Sequence, residues 1–143
     1  MSWIHWALLS ALFAGATAVL AKVGVTGVNS NLATAVRTAV VLVFAWGVVF
    51  ATGQSGAVTG LSRRTWLFLV LSGIATGLSW LCYFRALQLG DASKVAPIDK
   101  LSVVFVLVFA ALFLGESLTL KTLLGSALIA AGAVVLAWPA VVR

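Results

Sequence analysis

Apolar and polar positions follow one another in long blocks along this chain. Short polar stretches rich in Gly, Ser, Thr and Asn separate five apolar segments, which cover residues 3–24, 31–51, 66–88, 95–114 and 119–140. A helix rises about 1.5 Å per residue, so roughly 20 residues cross a hydrocarbon core of about 30 Å. Each segment has that length. The pattern predicts an all-α membrane protein with five transmembrane helices, forming one domain over residues 1–143.

Residues that favour helix ends lie between the apolar segments. Asn29 to Asn31 can cap the second helix and Ser93 can cap the fourth. The fifth helix can start at either Ser117 or Thr119, and Gly115 is placed to close the fourth. The sequence therefore predicts short turns and no soluble domain between the spans.

Pro97, near the start of the fourth segment, is compatible with two helix starts. If Ser93 is the cap, Pro97 lies past the first turn, where it removes a backbone hydrogen bond and loosens the helix. If the helix starts at Ala96, Pro97 occupies the first turn, where proline is favoured. The sequence leaves both starts open.

Composition agrees with a membrane protein. The chain is 63% hydrophobic and 8% charged, whereas soluble domains carry about a quarter charged residues. Its net charge of +6 comes from basic residues scattered singly along apolar segments, a pattern that does not indicate nucleic-acid binding. Cys82 is the single cysteine, which excludes an intramolecular disulfide. We find no motif for a metal, a cofactor or a nucleophile–base pair, and expect no enzyme.

Charged residues fall inside two of the predicted spans. The uncharged run from Leu101 to Gly115 has only fifteen residues, so the fourth span must begin near Val95 and contain Asp99 and Lys100. Arg37 lies within the second span. A charge at the centre of a bilayer costs on the order of 2.5–3.5 kcal/mol on insertion scales, which favours pairing.

We predict that Asp99 pairs with Arg37. Adjacent residues on a helix point about 100° apart, so Lys100 is expected to face away from Asp99 and to remain free for a substrate or a lipid headgroup. A short carboxylate stem cannot reach the headgroups, whereas long basic stems can. Snorkelling to the membrane surface is therefore the alternative explanation for the basic residues, above all for Lys22 and Arg85.

Antiparallel threading places a set of polar and aromatic residues toward one membrane side, here called the far side because it lies opposite the N-terminus. Aromatic walls with a few convergent polar groups are typical of small-molecule pockets. For two of the aromatic residues, Trp80 and Tyr83, an interfacial aromatic belt is the alternative. The candidate substrate-binding or pathway residues are Lys22, Arg37, Trp80, Tyr83, Arg85, Asp99, Lys100 and Ser102.

The stretch "FRALQLGDASKVAPIDKLSVVFVLVFAALFLGESLTLKTLLGSALIAAGAVVL" resembles an EamA domain of the drug/metabolite transporter superfamily. The resemblance covers essentially all five spans and is closest to single-domain members. Despite its place in a family motif, Glu116 is expected to cap the turn into the fifth helix. The matching features are "YFRAL" from Tyr83 to Leu87, the "ASKVAP" stretch, "LGE" ending at Glu116, Gly125 with Gly132, and the early Lys22 and Arg37.

The resemblance implies a multi-pass secondary transporter of small metabolites in the bacterial cytoplasmic (inner) membrane, with no cofactor. Elsewhere in the family two five-helix repeats lie in opposite orientations. This chain has one, so we expect an antiparallel homodimer with dual topology and alternating access. The positive far side favours anionic or zwitterionic solutes, and Asp99 is a candidate for proton coupling. The alternative is a non-transporting accessory or lipid-headgroup-binding membrane protein.

Overall fold

The computed structural model describes residues 2–138, and every regular element within that range is helical. The predicted all-α fold is confirmed. Five helical segments of the described range are long and apolar enough to cross a membrane, and the fourth of them, Ala92–Leu114, consists of several consecutive helical elements. The last two residues of the predicted fifth span, 139 and 140, lie outside the described range. The helices are α1 (Trp3–Gly24), α2 (Ser30–Ala51), α3 (Arg63–Leu89), α4 (Ala92–Asp99), α5 (Ser102–Phe109) and α6 (Leu120–Ala137), with a 3₁₀ helix at Ser55–Gly60 and a π-helical turn at Ala110–Leu114.

The chain divides into two compact units. The central unit is Val23–Gln88, and the flanking unit comprises the described residues before and after it. That residues 1–143 form one domain stays a prediction.

Three helix ends lie at residues that the sequence predicted. The Asn29 side chain accepts hydrogen bonds from the backbone N–H groups of Asn31 and Leu32, at 2.9 and 3.3 Å, and so caps α2. Gly115 closes the fourth span with φ of +67°, a left-handed conformation that glycine adopts without steric cost. Of the two candidates for the fifth span, Thr119 is the cap.

The predicted cap of the fourth helix, Ser93, is wrong. The helix α4 begins at Ala92, with Asp91 in the cap position. The Asp91 carboxylate lies 3.3 Å from the Lys94 ammonium. An acidic group near a helix N-terminus is favourable because it faces the positive end of the helix dipole, and a basic residue three positions on adds a local ion pair.

Pro97 lies past the first turn of α4, as the first of the two predicted starts required. Without an N–H group it cannot donate to the carbonyl of Ser93. The helix ends two residues later, and the N–H groups of Lys100 and Leu101 donate to carbonyls three residues back, at 3.0 and 2.9 Å. These 3₁₀-type bonds separate α4 from α5, and the π-helical turn follows α5. The fourth span is thus irregular at two places.

The buried residues of the central unit lie where α2 begins and α3 ends. Phe84 and Leu87 on α3 are buried, as is Val25 before α2. Thr34 on α2 is buried too, and its hydroxyl donates to the Ser30 carbonyl at 2.8 Å, which satisfies the hydroxyl without a partner from another helix. This small core holds the segment of α2 that carries Arg37.

In the flanking unit α4 packs against α6 and leaves an open groove of about 450 Å³ between them. Small residues permit this close approach of the two helices. Lys100 contributes the only charged side chain to the groove among the described residues. The lining residues are Ala96, Pro97, Lys100, Leu128, Ile129, Gly132, Ala133 and Leu136.

Candidate functional site

Arg37 is half-buried on α2 and lies over aromatic rings of α3. Its guanidinium carbon is 4.4 Å from the centroid of the Trp80 ring and 5.3 Å from that of Phe84. The electron-rich face of an aromatic ring attracts a cation by about 0.5–2 kcal/mol, and more strongly where water is excluded. The stack therefore holds the Arg37 guanidinium against α3 within the membrane-spanning part of the chain.

The aromatic surface under Arg37 is built by helical spacing. Trp80 and Phe84 are four residues apart on α3, so they project from the same face. Tyr83 extends the surface, because its ring lies 6.5 Å from that of Phe84 in an edge-to-face arrangement. Phe84 was missed by the sequence reasoning, although its position one turn after Trp80 was a signal that could have found it.

The central unit contains no aspartate or glutamate, because residues 23–88 include neither. Within this unit the positive charge of Arg37 therefore faces aromatic rings and has no carboxylate as a partner. A guanidinium that lies over a ring presents its N–H groups at its edge, in the fork geometry that matches a carboxylate or a phosphate. The arrangement can bind an anion.

Arg85 and Gln88 form a second polar group on α3. The Arg85 guanidinium donates to the side-chain oxygen of Gln88 at 2.6 Å. The Gln88 amide nitrogen in turn donates to the backbone carbonyl of Val28 at 2.7 Å. Arg85 is exposed, and its partner here is a neutral amide.

In the flanking unit Asp99 pairs with its neighbour in sequence. The Lys100 ammonium lies 3.3 Å from the Asp99 carboxylate, with exposed side-chain fractions of 59% and 39%. The prediction that these two residues face apart and leave Lys100 free is therefore wrong. The helix breaks at this point, and the long lysine stem bends back to the carboxylate. The proposed pairing of Asp99 with Arg37 involves different units and stays a prediction.

The remaining basic candidate, Lys22, contacts a residue that is distant in sequence. Its ammonium donates to the Gly90 carbonyl at 2.8 Å in the flanking unit. Ser102 is exposed at the first position of α5, directly after the break in the fourth span. The structure thus brings together Arg37, Trp80 and Tyr83 on one aromatic surface, and Asp99 with Lys100 in one ion pair.

Metal-ligand groups and the thiol of the described part of the chain complete the set of reactive side chains. Among residues 2–138 no group of three or more His, Cys, Asp or Glu side chains is placed to hold a metal ion. Cys82 is a free, exposed thiol.

Comparison with known proteins places these features in context. The EamA-like transporter family matches residues 1–138. A protein from Sinorhizobium sp., named "Uncharacterized transporter in cobO 3'region", is 60% identical over 136 residues, which cover 95% of this chain and 96% of the relative. No solved structure matches the chain.

Proposed function

Because this chain belongs to the EamA-like transporter family, we propose that it is a secondary transporter of a small polar metabolite that is anionic or zwitterionic. The chain is a multi-pass membrane protein with five apolar helices, and we place it in the bacterial cytoplasmic membrane. The observation that carries the substrate class is the position of Arg37, over Trp80, in a unit without any carboxylate.

The charge of Arg37 needs a counter-charge because it lies inside a span. Arg37 is seven residues after the first residue of α2, or about 10 Å along the helix. Aromatic faces compensate only part of the cost of burying the cation. A substrate anion at the guanidinium edge supplies the remaining compensation, and leaves when the site opens to water. A tightly bound internal carboxylate would compete with such a substrate.

The other predicted site residues have proposed roles, each within its own unit. Trp80 and Tyr83 form an apolar wall for the body of the substrate, and Ser102 offers a hydroxyl. Lys22 and Arg85 raise the local concentration of anions through their positive charge. The Asp99–Lys100 ion pair exchanges partners with a zwitterionic substrate, or Asp99 carries a coupling proton. The proposed reaction needs no cofactor and no covalent chemistry.

We propose that the transporting species is an antiparallel homodimer that works by alternating access. In support of this proposal, the Sinorhizobium relative aligns with this chain over 96% of its own length. Transporters built from inverted repeats bind substrate between the repeats, near the midplane. Most apolar side chains of the spans are exposed within the described chain, which leaves helix faces for a partner or for lipid.

Counterflow in proteoliposomes tests the transport function. Vesicles preloaded with unlabelled succinate, alanine or propylamine receive the same labelled compound outside, as examples of an anion, a zwitterion and a cation. The account predicts protein-dependent exchange of the anion or the zwitterion above the level of empty vesicles. Exchange of propylamine alone would contradict the substrate class. Exchange of none of the three, with retained binding of anionic lipid, would favour the non-transporting alternative.

Orientation in cells tests the homodimer. Ala57 is exposed in the 3₁₀ helix between α2 and α3. In a Cys82→Ala background, Ala57→Cys is labelled with an impermeant thiol reagent before and after lysis. Labelling of about half the protein in intact cells supports two orientations. All or none labelled in intact cells would contradict dual topology.

A further inference from the structure

Gln88 contacts two groups at once, one on each side of its amide. Its oxygen accepts from Arg85 at 2.6 Å, and its nitrogen donates to the Val28 carbonyl at 2.7 Å. We propose that Gln88 is a positioning residue that fixes the register of α2 against α3 and thereby holds Arg37 on Trp80. The functional part of this proposal rests on the proposed anion-binding role of Arg37, whereas the register itself can be measured without substrate.

The geometry of two contacts carries the proposal. Gln88 follows Trp80 by eight residues on α3, about 12 Å along the helix and about 80° around it. Val28 precedes Arg37 by nine residues. The Gln88–Val28 hydrogen bond and the Arg37–Trp80 stack therefore belong to one antiparallel register between the two chain segments. A slip at the first contact would move Arg37 along the aromatic surface.

The position of Val28 explains how its carbonyl controls α2. The next residue, Asn29, is the N-cap, and its side chain binds the first free N–H groups of the helix. A hydrogen bond that holds the Val28 carbonyl therefore holds the chain directly before the first turn of α2. From that point the rigid helix transmits the position to Arg37, because helices bend little over two turns.

The chemistry of the side chain at position 88 is specific. An amide offers both an acceptor for Arg85 and a donor for Val28. A glutamate at this position keeps the acceptor and loses the donor. It would also bring the first carboxylate into the central unit, next to Arg85. A methionine fills a similar volume and loses both hydrogen bonds.

The test measures the fluorescence emission of Trp80 in the purified protein, because this emission depends on the surroundings of the indole ring. Trp3, Trp6, Trp46, Trp66 and Trp138 are replaced by phenylalanine, so that Trp80 is the only emitting indole. Arg37→Met in this background gives the change in Trp80 emission that follows loss of the stacked cation. Gln88→Met and Gln88→Glu are then compared with Arg85→Met, which removes the neighbouring cation and keeps the donor to Val28.

We expect both Gln88 variants to reproduce at least half of the emission change of Arg37→Met, and Arg85→Met to stay within error of the parent. Each variant counts as folded if it elutes as a monodisperse peak and has a helical circular dichroism spectrum. If Gln88→Met does not fold, Gln88→Glu is used instead. Gln88 variants with parental emission would overturn the proposal. An Arg37→Met spectrum equal to the parent would do so as well, because no stack would exist. An Arg85→Met change as large as that of Gln88→Met would overturn the role of the Val28 bond.

This experiment uses no substrate, so its outcome is independent of the transport assay. If the Gln88 variants keep the parental emission, the positioning role of Gln88 fails and the proposed anion transport is unaffected. Conversely, absence of transport with the expected emission changes leaves the positioning role of Gln88 in place and removes only its functional consequence.

Discussion

The Lys22 ammonium donates a hydrogen bond to the Gly90 carbonyl oxygen across a distance of 2.8 Å. Gly90 directly follows α3, so its carbonyl lies at the negative end of that helix dipole. A hydrogen bond to a charged group contributes about 1.5–3 kcal/mol. The bond gives Lys22 a structural role beside any role in attracting substrate.

Replacement of Lys22 by methionine is therefore expected to lower the free energy of unfolding by about 2 kcal/mol, because the carbonyl loses a charged donor. Thermal unfolding in detergent measures the effect, and Lys22→Arg is the control that keeps a cationic donor. A Lys22→Met variant that melts like the parent would show that the lysine snorkels to the membrane surface instead.

The Arg37–Trp80 stack predicts an energetic coupling between the two side chains. Trp80→Leu, Arg37→Met and the double variant form a cycle, and we expect a coupling of about 0.5–2 kcal/mol in the free energy of unfolding. Trp80→Phe should keep a substantial part of it, because phenylalanine also presents a π face. Strictly additive effects of the two replacements would contradict the contact.

The break in the fourth span predicts fast local opening. Pro97→Ala restores an N–H group that can donate to the Ser93 carbonyl, so α4 should continue further toward α5. We expect slower hydrogen exchange of the amides at Lys100 and Leu101. Amides of residues 105–109, within α5, serve as the internal control. Equal exchange in both proteins would show that the break does not depend on the proline.

Loss of the Asp99–Lys100 ion pair is expected to change transport much more than the stability of the fold. Both side chains are substantially exposed, and such pairs contribute about 0–1 kcal/mol. Asp99→Asn should therefore shift the free energy of unfolding by less than about 1 kcal/mol and abolish uptake driven by a proton gradient. Uptake that remains intact in this variant would remove Asp99 from the mechanism.

The spans were predictable because their signal is local and strong. Blocks of apolar residues indicated five helices. Asn29 and Gly115 indicated helix ends through their own side-chain or backbone chemistry, and the fifth start was narrowed to Ser117 or Thr119. The start of α4 was missed because Asp91 and Ser93 are both good N-caps, and the sequence gives no reason to choose between them. Local composition was enough to predict the helices, whereas the choice between Asp91 and Ser93 as the cap of α4 depends on contacts elsewhere in the fold.

The site was predictable only in part, because its contacts join distant segments. Arg37 and Trp80 were selected for their chemistry, yet their mutual stacking depends on the register of α2 against α3. The prediction excluded an Asp99–Lys100 pair because it assumed a regular helix through both residues. It failed because α4 ends at Asp99. The hydrogen bond from Gln88 to Val28 could not be predicted from the sequence, because its acceptor is a backbone carbonyl and every residue type has one.

The central claim is that Arg37 binds the anionic group of the substrate, and a binding measurement tests it most directly. Arg64 provides a matched control, because its guanidinium lies 5.8 Å from the ring of Phe68 in the same unit. Thermal stabilisation of the purified protein by succinate or alanine is compared for the parent, Arg37→Met and Arg64→Met. The account predicts stabilisation of the parent and of Arg64→Met, and at least a tenfold loss of affinity in Arg37→Met, about 1.4 kcal/mol. Equal stabilisation of all three proteins would contradict it.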